Sequence, residues 1–525
     1  MAKIMVLCSL TWSLFFGFSW AQVDTAWVRR YNHVAVDRAT AIIVDDSGNV
    51  YVTGWSQDLV TGDDWATIKY SSSGVQEWVR RYDGPENEVN QDKALDMAID
   101  CSGNIYVTGY VFDGFMDYGT IKYTPSGIQS WVEIFGSSWQ CDCATSITTD
   151  TLDNVYVTGY LFDFDYGTIK YDALGNQKWV AIYAPPLGQE RATAIEVNNS
   201  GYVFVTGYSL IYAPADYATV KYDSLGNEEW VVRYNGLGDD DDRATAMAID
   251  ESGHTYVTGY STDTTSHGNY ATVKYDSSGN ELWVVQYNGP DNDDDRAEAI
   301  VISESGNVYV TGFSMSSVSH YDYATVKYDS LGNEEWVVRY NGLGNDDDRA
   351  TAMAIDESGN IYVTGWSIGL DSQPDYVTIK YDSVGNESWA IRYDCPEHQP
   401  DIAVAIDVDN LGNVYVTGYS GDWYCDYVTI KYIQAPGISE YNVARKITNL
   451  NILPNPCKTS FEIYSSALVE RLEIYNIAGR LIREERLQEH KTIHKISVEN
   501  MNTGVYFAKF YTTDFAVMRK ILVLR

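Results

Sequence analysis

The sequence predicts an all-β protein whose main part is an eight-bladed β-propeller, because three markers recur eight times each, always in the same order. The first is a tryptophan, at Trp27, Trp78, Trp131, Trp179, Trp230, Trp283, Trp336 and Trp389, in steps of 48 to 53 residues. The second is Val-Thr-Gly, ending at Gly54, Gly109, Gly159, Gly207, Gly259, Gly312, Gly365 and Gly418. The third is Thr-Ile/Val-Lys-Tyr, with its lysine at Lys69, Lys122, Lys170, Lys221, Lys274, Lys327, Lys380 and Lys431. A period of this length is the mark of a repeat architecture in which each unit buries its faces against its neighbours.

The stretch from Ala350 to Tyr393 shows what one period encodes. Ala350–Ile355 is small and apolar, Ile361–Thr364 is β-branched and aromatic, Tyr376–Tyr381 alternates, and Trp389–Tyr393 closes the unit, which makes four short strands. Asp356-Glu357-Ser358-Gly359-Asn360 and Asp382-Ser383-Val384-Gly385-Asn386 lie between them as tight turns, with Asp opening the turn and Gly supplying the positive φ. Four antiparallel strands per unit make a propeller blade. The Ala-rich strand suits the crowded centre and the Trp strand the wide rim.

The phase of the repeat predicts how the ring closes. The array begins with an outer strand, Trp27 to Tyr31, and ends with three strands, Ile402 to Tyr432, that lack an outer one. Together they complete one blade, so the N-terminal strand is expected to close the last blade. An open array, or a seven-bladed ring with a detached unit, is the alternative. The segments Gly-Asn-Val-Tyr-Val-Thr-Gly, Asp-Tyr-Ala-Thr-Val-Lys-Tyr-Asp and Gly-Asn-Glu-Glu-Trp resemble the bacterial propeller repeat called SBBP over roughly Ala26 to Tyr432. That resemblance implies an architecture and an extracellular setting, and no shared catalytic residues.

Both ends of the chain differ from the array. Residues 1–21 carry Lys3, the apolar stretch Ile4 to Phe18 and Ser19-Trp20-Ala21 before Gln22, the pattern of a secretory signal peptide. The apolar run is shorter than the roughly 20 residues a span needs, and no other segment is apolar enough, so the mature chain is expected to have no transmembrane segment. After the propeller (22–433) and a linker (434–447) that includes Ala435-Pro436-Gly437, residues 448–525 read as an immunoglobulin-like β-sandwich of short alternating strands. Asn451-Ile452-Leu453-Pro454-Asn455-Pro456, Ala478-Gly479-Arg480, Gly504-Val505-Tyr506 and the basic-apolar end Lys520 to Arg525 closely resemble the type A sorting domain of the type IX secretion system. The resemblance implies that 448–525 is read by that machinery, with passage across an outer membrane and a secreted or cell-surface location.

Function is less legible than address. If the Asp-x-x-Gly-Asn turns define a bottom face, the variable connections lie on the top face, and loops on a rigid scaffold commonly carry binding. Those loops are acidic. A carboxylate enters every inner strand, at Asp37, Asp92, Asp142, Glu190, Asp242, Asp295, Asp348 and Asp401. Another precedes every third strand except at Asn269: Asp64, Asp117, Asp165, Asp216, Asp322, Asp375 and Asp426. Two readings stand. Either these acids cap turns and pair with Arg38, Arg191, Arg243, Arg296, Arg349 or lysines between blades, or the runs around Asp240, Asp242, Asp293, Asp295, Asp346 and Asp348 hold calcium, which takes several converging oxygens.

Residues 22–444 hold 65 acidic against 22 basic residues, a balance that repels nucleic acid. No catalytic signature is present, and Ser266-His267 and Ser319-His320 lack an evident third partner. Cys395 and Cys425 are placed where a disulfide could join the top of the closure blade. The expected function is a binding or adhesion scaffold, not an enzyme, for an unidentified extracellular protein or glycan. The alternative is a carbohydrate-active hydrolase or lyase with an acidic site on the top face.

Overall fold

The computed structural model describes residues 23–434 except 86–89, 137–140, 162–164, 187, 211–213, 239, 266 and 423. In the C-terminal part it describes 451–453, 458–464, 471–476, 481–487, 493–498, 500–511 and 516–523. The chain divides into two compact units, Met1–Gln434 and Ala435–Arg525. Among the described residues no helix is long and apolar enough to cross a membrane.

The first unit is a succession of eight antiparallel sheets with four strands on the main path. In the seventh, Asp348–Ile355, Ile361–Ile368, Pro374–Tyr381 and Glu387–Tyr393 lie side by side in chain order. The eighth takes Asp401–Val408, Val414–Ser420 and Asp426–Gln434 from the end of the unit and Val23–Tyr31 from its beginning. Val23 stands opposite Gln434 and Tyr31 opposite Tyr427, so the last strand runs one residue past the expected boundary at 433. Inner strands touch in succession around the ring, and Asp401–Val408 touches Asp37–Val44. The ring is closed and eight-bladed.

The sequence markers turn out to be the contacts between blades. Tyr118, Tyr166, Tyr217, Tyr270, Tyr323 and Tyr376 each donate a hydroxyl to a third-strand carbonyl of the following blade. Tyr427 makes the same bond to Ala66 O at 3.2 Å across the closure. On the rim, Lys69 Nζ and Trp78 Nε1 converge on Pro125 O at 3.1 and 3.2 Å, and Lys327 with Trp336 converge on Ser383 O in the same way. Lys431 and Trp27 repeat the pattern on Ser72 O, again across the closure. The junction of blades seven and eight departs from it, because the chain ends replace the turn that would supply the carbonyl. There Lys380 turns to Gln434 Oε1 and Trp389 Nε1 has no partner among the described residues. A buried donor left unpaired costs about 1–3 kcal/mol, so this junction carries a local penalty for closure.

The Val-Thr-Gly marker has a steric cause. A Cβ on Gly54 would lie 2.1 Å from Arg38 O, so only glycine lets the second strand approach the inner strand at the bulge between Ala39 and Ala41. Threonines on the inner strands stitch neighbouring blades, as in Thr40 Oγ1 to Ala94 O at 3.0 Å and Thr351 Oγ1 to Ala403 O at 2.9 Å. The second unit contains two sheets. Asn451–Leu453, Ser460–Tyr464 and Ile493–Ser497 form one; Leu481–Arg486, Arg471–Asn476, Gly504–Tyr511 and Ala516–Val523 form the other. Phe461 and Ile496 from one sheet and Leu472, Ile474, Ala508 and Phe510 from the other make a common core, the immunoglobulin-like sandwich expected.

Candidate functional site

The top face is built on a row of four positions that repeats across each blade. In blade six the row is Asp295, Ser314, Asp322 and Arg339; in blade seven it is Asp348, Ser367, Asp375 and Arg392. Asp295 is paired in register with Ser314 and Ser314 with Asp322, so strand geometry places their side chains on one face of the sheet. The arginine reaches in from the outer strand: Arg339 Nη2 meets Asp322 Oδ2 at 2.9 Å and Ser314 O at 3.0 Å. Arg81 with Asp64 (2.6 Å), Arg392 with Asp375 (2.7 Å), Arg233 with Asp216 (3.4 Å) and Arg30 with Asp426 (3.7 Å) repeat the pair.

The carboxylates entering the inner strands are buried and bind backbone N–H groups or, for Glu190, the Ser209 hydroxyl rather than arginine. Asp348 accepts from Gly342 N at 2.5 Å, Asp401 from Cys395 N at 2.7 Å, and Asp92 from Gly84 N and Phe112 N at 2.8 and 2.6 Å. Burial pushes Asp92, Asp242, Asp295 and Asp348 up to about 6, against the pull of these N–H groups. The expected pairing of these carboxylates with Arg38, Arg243, Arg296 and Arg349 is therefore corrected, although Arg243 and Arg349 do meet the adjacent loop acids Asp241 and Asp347 at 2.8 and 3.4 Å. Those cations stack on aromatic rings of the preceding blade: Arg38 over Tyr419 at 4.5 Å, Arg243 over Tyr208 at 4.8 Å, Arg296 over Tyr260 at 4.7 Å and Arg349 over Tyr321 at 4.4 Å. Arg191 lies over Tyr160 at 5.0 Å in the same manner. The arginines that do serve the row come from the outer strand, tens of residues away.

The six aspartates expected to share calcium do not converge as a set. Asp242, Asp295 and Asp348 turn inward to the N–H groups of Gly236, Gly289 and Gly342, while Asp240 is exposed. Asp293 and Asp346 lie in the loops that precede the inner strands and face instead a histidine from the preceding blade. His267 Nδ1 is 3.2 Å from Asp293 Oδ1, with Asp294 beside it; His320 Nδ1 is 3.0 Å from Asp346 Oδ1 and 3.8 Å from Asp347 Oδ1. Asp371, Asp394 and His398 form a third group, with His398 Nδ1 2.7 Å from Asp394 Oδ2. In each group the ligand atoms lie within 4.8 Å of one another. An acidic partner for His267 and for His320 is thus supplied by the next blade, while Ser266 lies outside the described residues. The signal was a common separation of 26 residues between His320 and Asp346, and between Gly268 and Asp294.

Cys395 and Cys425 are buried free thiols rather than a disulfide. Cys425 Sγ accepts from Arg38 Nε at 3.4 Å and Cys395 Sγ from Gln399 N at 3.3 Å, so each sulfur already has a partner. The bottom face offers grooves between blades, one of about 770 Å³ lined by Tyr202, Lys221, Glu229 and Trp230. Its cation is committed, with Lys221 Nζ 2.9 Å from Glu229 and 3.0 Å from Ser277 O.

Comparison with known proteins matches residues 335–371 to a β-propeller repeat model, SBBP, and residues 451–524 to the secretion system C-terminal sorting domain. A stretch of 111 residues is 32% identical to the regulatory protein FlaEY of Caulobacter vibrioides, covering 18% of this chain and 11% of that protein. The chain thus spans about a tenth of the curated relative it matches. Among solved structures, a protein of unknown function from Dyadobacter fermentans is 10% identical with a TM-score of 0.38, over 78% of this chain and 99% of the other. A gluconolactonase from Xanthomonas campestris is 10% identical with a TM-score of 0.30, over 77% of this chain and 100% of the other. Neither likeness bears on function. The two family matches agree with the repeated blades and the terminal sandwich: the chain carries an SBBP β-propeller repeat within its eight-bladed ring and a C-terminal secretion-system sorting domain, which marks it for secretion or the outer cell surface.

Proposed function

We propose that this protein is a non-enzymatic binding or adhesion scaffold, exported to the periplasm by its N-terminal signal peptide and carried across the outer membrane through residues 448–525. Its ligand, an extracellular protein or glycan, contacts the loops of the top face. One observation carries this reading: the two faces differ in how uniform their connections are. On the bottom, the turn aspartates are bonded within their own turns, as Asp356 is to Ser358, Asn360 and Tyr362. On the top, connections of unequal length differ from blade to blade and set exposed side chains of neighbouring blades together, as His320 with Asp346 and Asp347, while exposed leucines stand on both faces, Leu343 above and Leu331 below. The hydrolase or lyase alternative needs accessible paired acids, whereas the entering carboxylates are held inside by backbone N–H groups.

The test is to titrate labelled full chain onto immobilised glycans and onto intact cells, beside a variant with residues 342–347 replaced by a Gly-Ser loop. Saturable binding that the variant loses at unchanged melting temperature supports the scaffold. Release of new reducing ends from those glycans by the wild type, abolished in the variant, sinks it in favour of the hydrolase.

A further inference from the structure

The row of Asp, Ser, Asp and Arg is not kept in every blade, and its substitutions are correlated. In blade five the arginine position is Gln286, and there the third-strand aspartate is Asn269, so the charge disappears from both sides together. In blades two and three the arginine positions are Ile134 and Ile182, and the serine positions are Val111 and Leu161. Both aspartates of those rows nevertheless remain: Asp92 and Asp117, then Asp142 and Asp165.

The deficit is greatest where blades two and three meet. The third-strand acid of blade two lies beside the entering acid of blade three: the backbone bond from Asp142 N to Met116 O at 2.6 Å holds Asp142 against Asp117, as the bond from Asp242 N to Ala215 O holds Asp242 against Asp216. Every other junction has at least one outer-strand arginine beside it, and where both blades carry one the two flank the pair, as Arg339 and Arg392 flank Asp322 and Asp348. Here both flanking positions are isoleucine. Asp117 is 8% exposed and its Oδ1 has no hydrogen-bond partner, like the Oδ1 atoms of Asp64, Asp322 and Asp375, but unlike those residues it makes no ion pair among the described residues. Gly136 packs so closely that a Cβ there would lie 1.9 Å from Asp117 Oδ1. No lysine or arginine occurs anywhere between Lys122 and Lys170. Burial, Asp142 and the nearby exposed Asp113 together push Asp117 up to about 7.

We propose that the junction of blades two and three binds a calcium ion, held by the carboxylates of Asp117 and Asp142 in the place that arginine guanidinium groups fill elsewhere in the ring. A buried carboxylate without a counter-charge is costly, and a hard cation from the extracellular medium is matched by carboxylate oxygens. Blade five shows the other solution to the same deficit, which is to remove the acid. This calcium site shares no residue with the six aspartates considered from the sequence.

Calorimetric titration of the full chain with calcium tests the proposal against two variants. Asp117→Asn copies the neutral row of blade five, and Ile134→Arg restores the internal cation. Each variant is expected to take up one calcium ion fewer than the wild type while keeping its circular dichroism spectrum. Should Ile134→Arg fail to fold, Asp117→Asn alone decides. Equal calcium stoichiometry in wild type and variants, or no uptake by the wild type, overturns the site and leaves a shared proton on the pair.

Discussion

Asp150, in a bottom turn, accepts from Leu152 N, Asn154 N, Asn154 Nδ2 and Tyr156 OH at 2.8–2.9 Å. Asp348, at the top of an inner strand, is fully buried and accepts from Gly342 N, with one oxygen unpartnered. For Asp150 the hydrogen bonds outweigh burial and hold the carboxyl below its ordinary value; for Asp348 burial wins and pushes it up to about 6. The same side chain is therefore a stabilising turn acceptor on one face and a strained, charge-dependent element on the other. Donor supply decides which, because the turn gives Asp150 four donors of its own whereas Asp348 is buried with a single N–H from its loop and the arginine of its row pairs with Asp375.

The largest expected effect breaks that pairing. Arg392→Ala leaves Asp375, 4% exposed at its side chain, without a counter-charge, and is expected to destabilise the propeller by about 3–5 kcal/mol in denaturant unfolding. The double variant Arg392→Gln with Asp375→Asn, which reproduces Gln286 and Asn269, is expected to recover most of that loss. An additive double variant would show that the pair does not act as a unit.

Next is the response to pH. The top carboxylates have folded values above the ordinary 3.8, so the folded state binds more protons, and their contribution is present below that value and lost as pH rises through about 6. The bottom aspartates Asp150, Asp250 and Asp276 are held below 3.8, so their contribution is present above it and lost as pH falls. The melting temperature is expected to peak between about pH 4 and 5, falling by several degrees toward pH 8 and again below 3.8. A monotonic rise to pH 8 would contradict the assignment of the top row as the strained face.

Smaller effects sharpen the contrast from the other side. Asp150→Ala removes an acceptor shared by four donors that solvent can partly serve, with an expected cost of about 1–2 kcal/mol in thermal unfolding. Leu331→Ser, at a bottom turn tip that is 75% exposed, is expected to change stability by less than about 0.5 kcal/mol.

Much of this molecule was written locally. The period gave eight blades because each unit carries its own strands and turns, and Asp-x-x-Gly-Asn dictates a turn whichever blade it joins. The phase of the first and last strands gave the closure, since a lone outer strand and a blade lacking one are complementary. The sorting domain was legible from an ordered set of short motifs. What the sequence left open were the partners across blades: that Arg392 and not Arg349 meets Asp375, that His320 meets Asp346, that Asp117 meets Asp142 with isoleucine on either side, and that Cys395 and Cys425 stay apart. Those choices depend on which side chains alternate toward which face and on the neighbour that ring geometry brings against them. The strand pattern is a property of the chain, whereas charge compensation is a property of the closed ring, which joins residues 17 to 390 positions apart through side-chain contacts that no local pattern encodes.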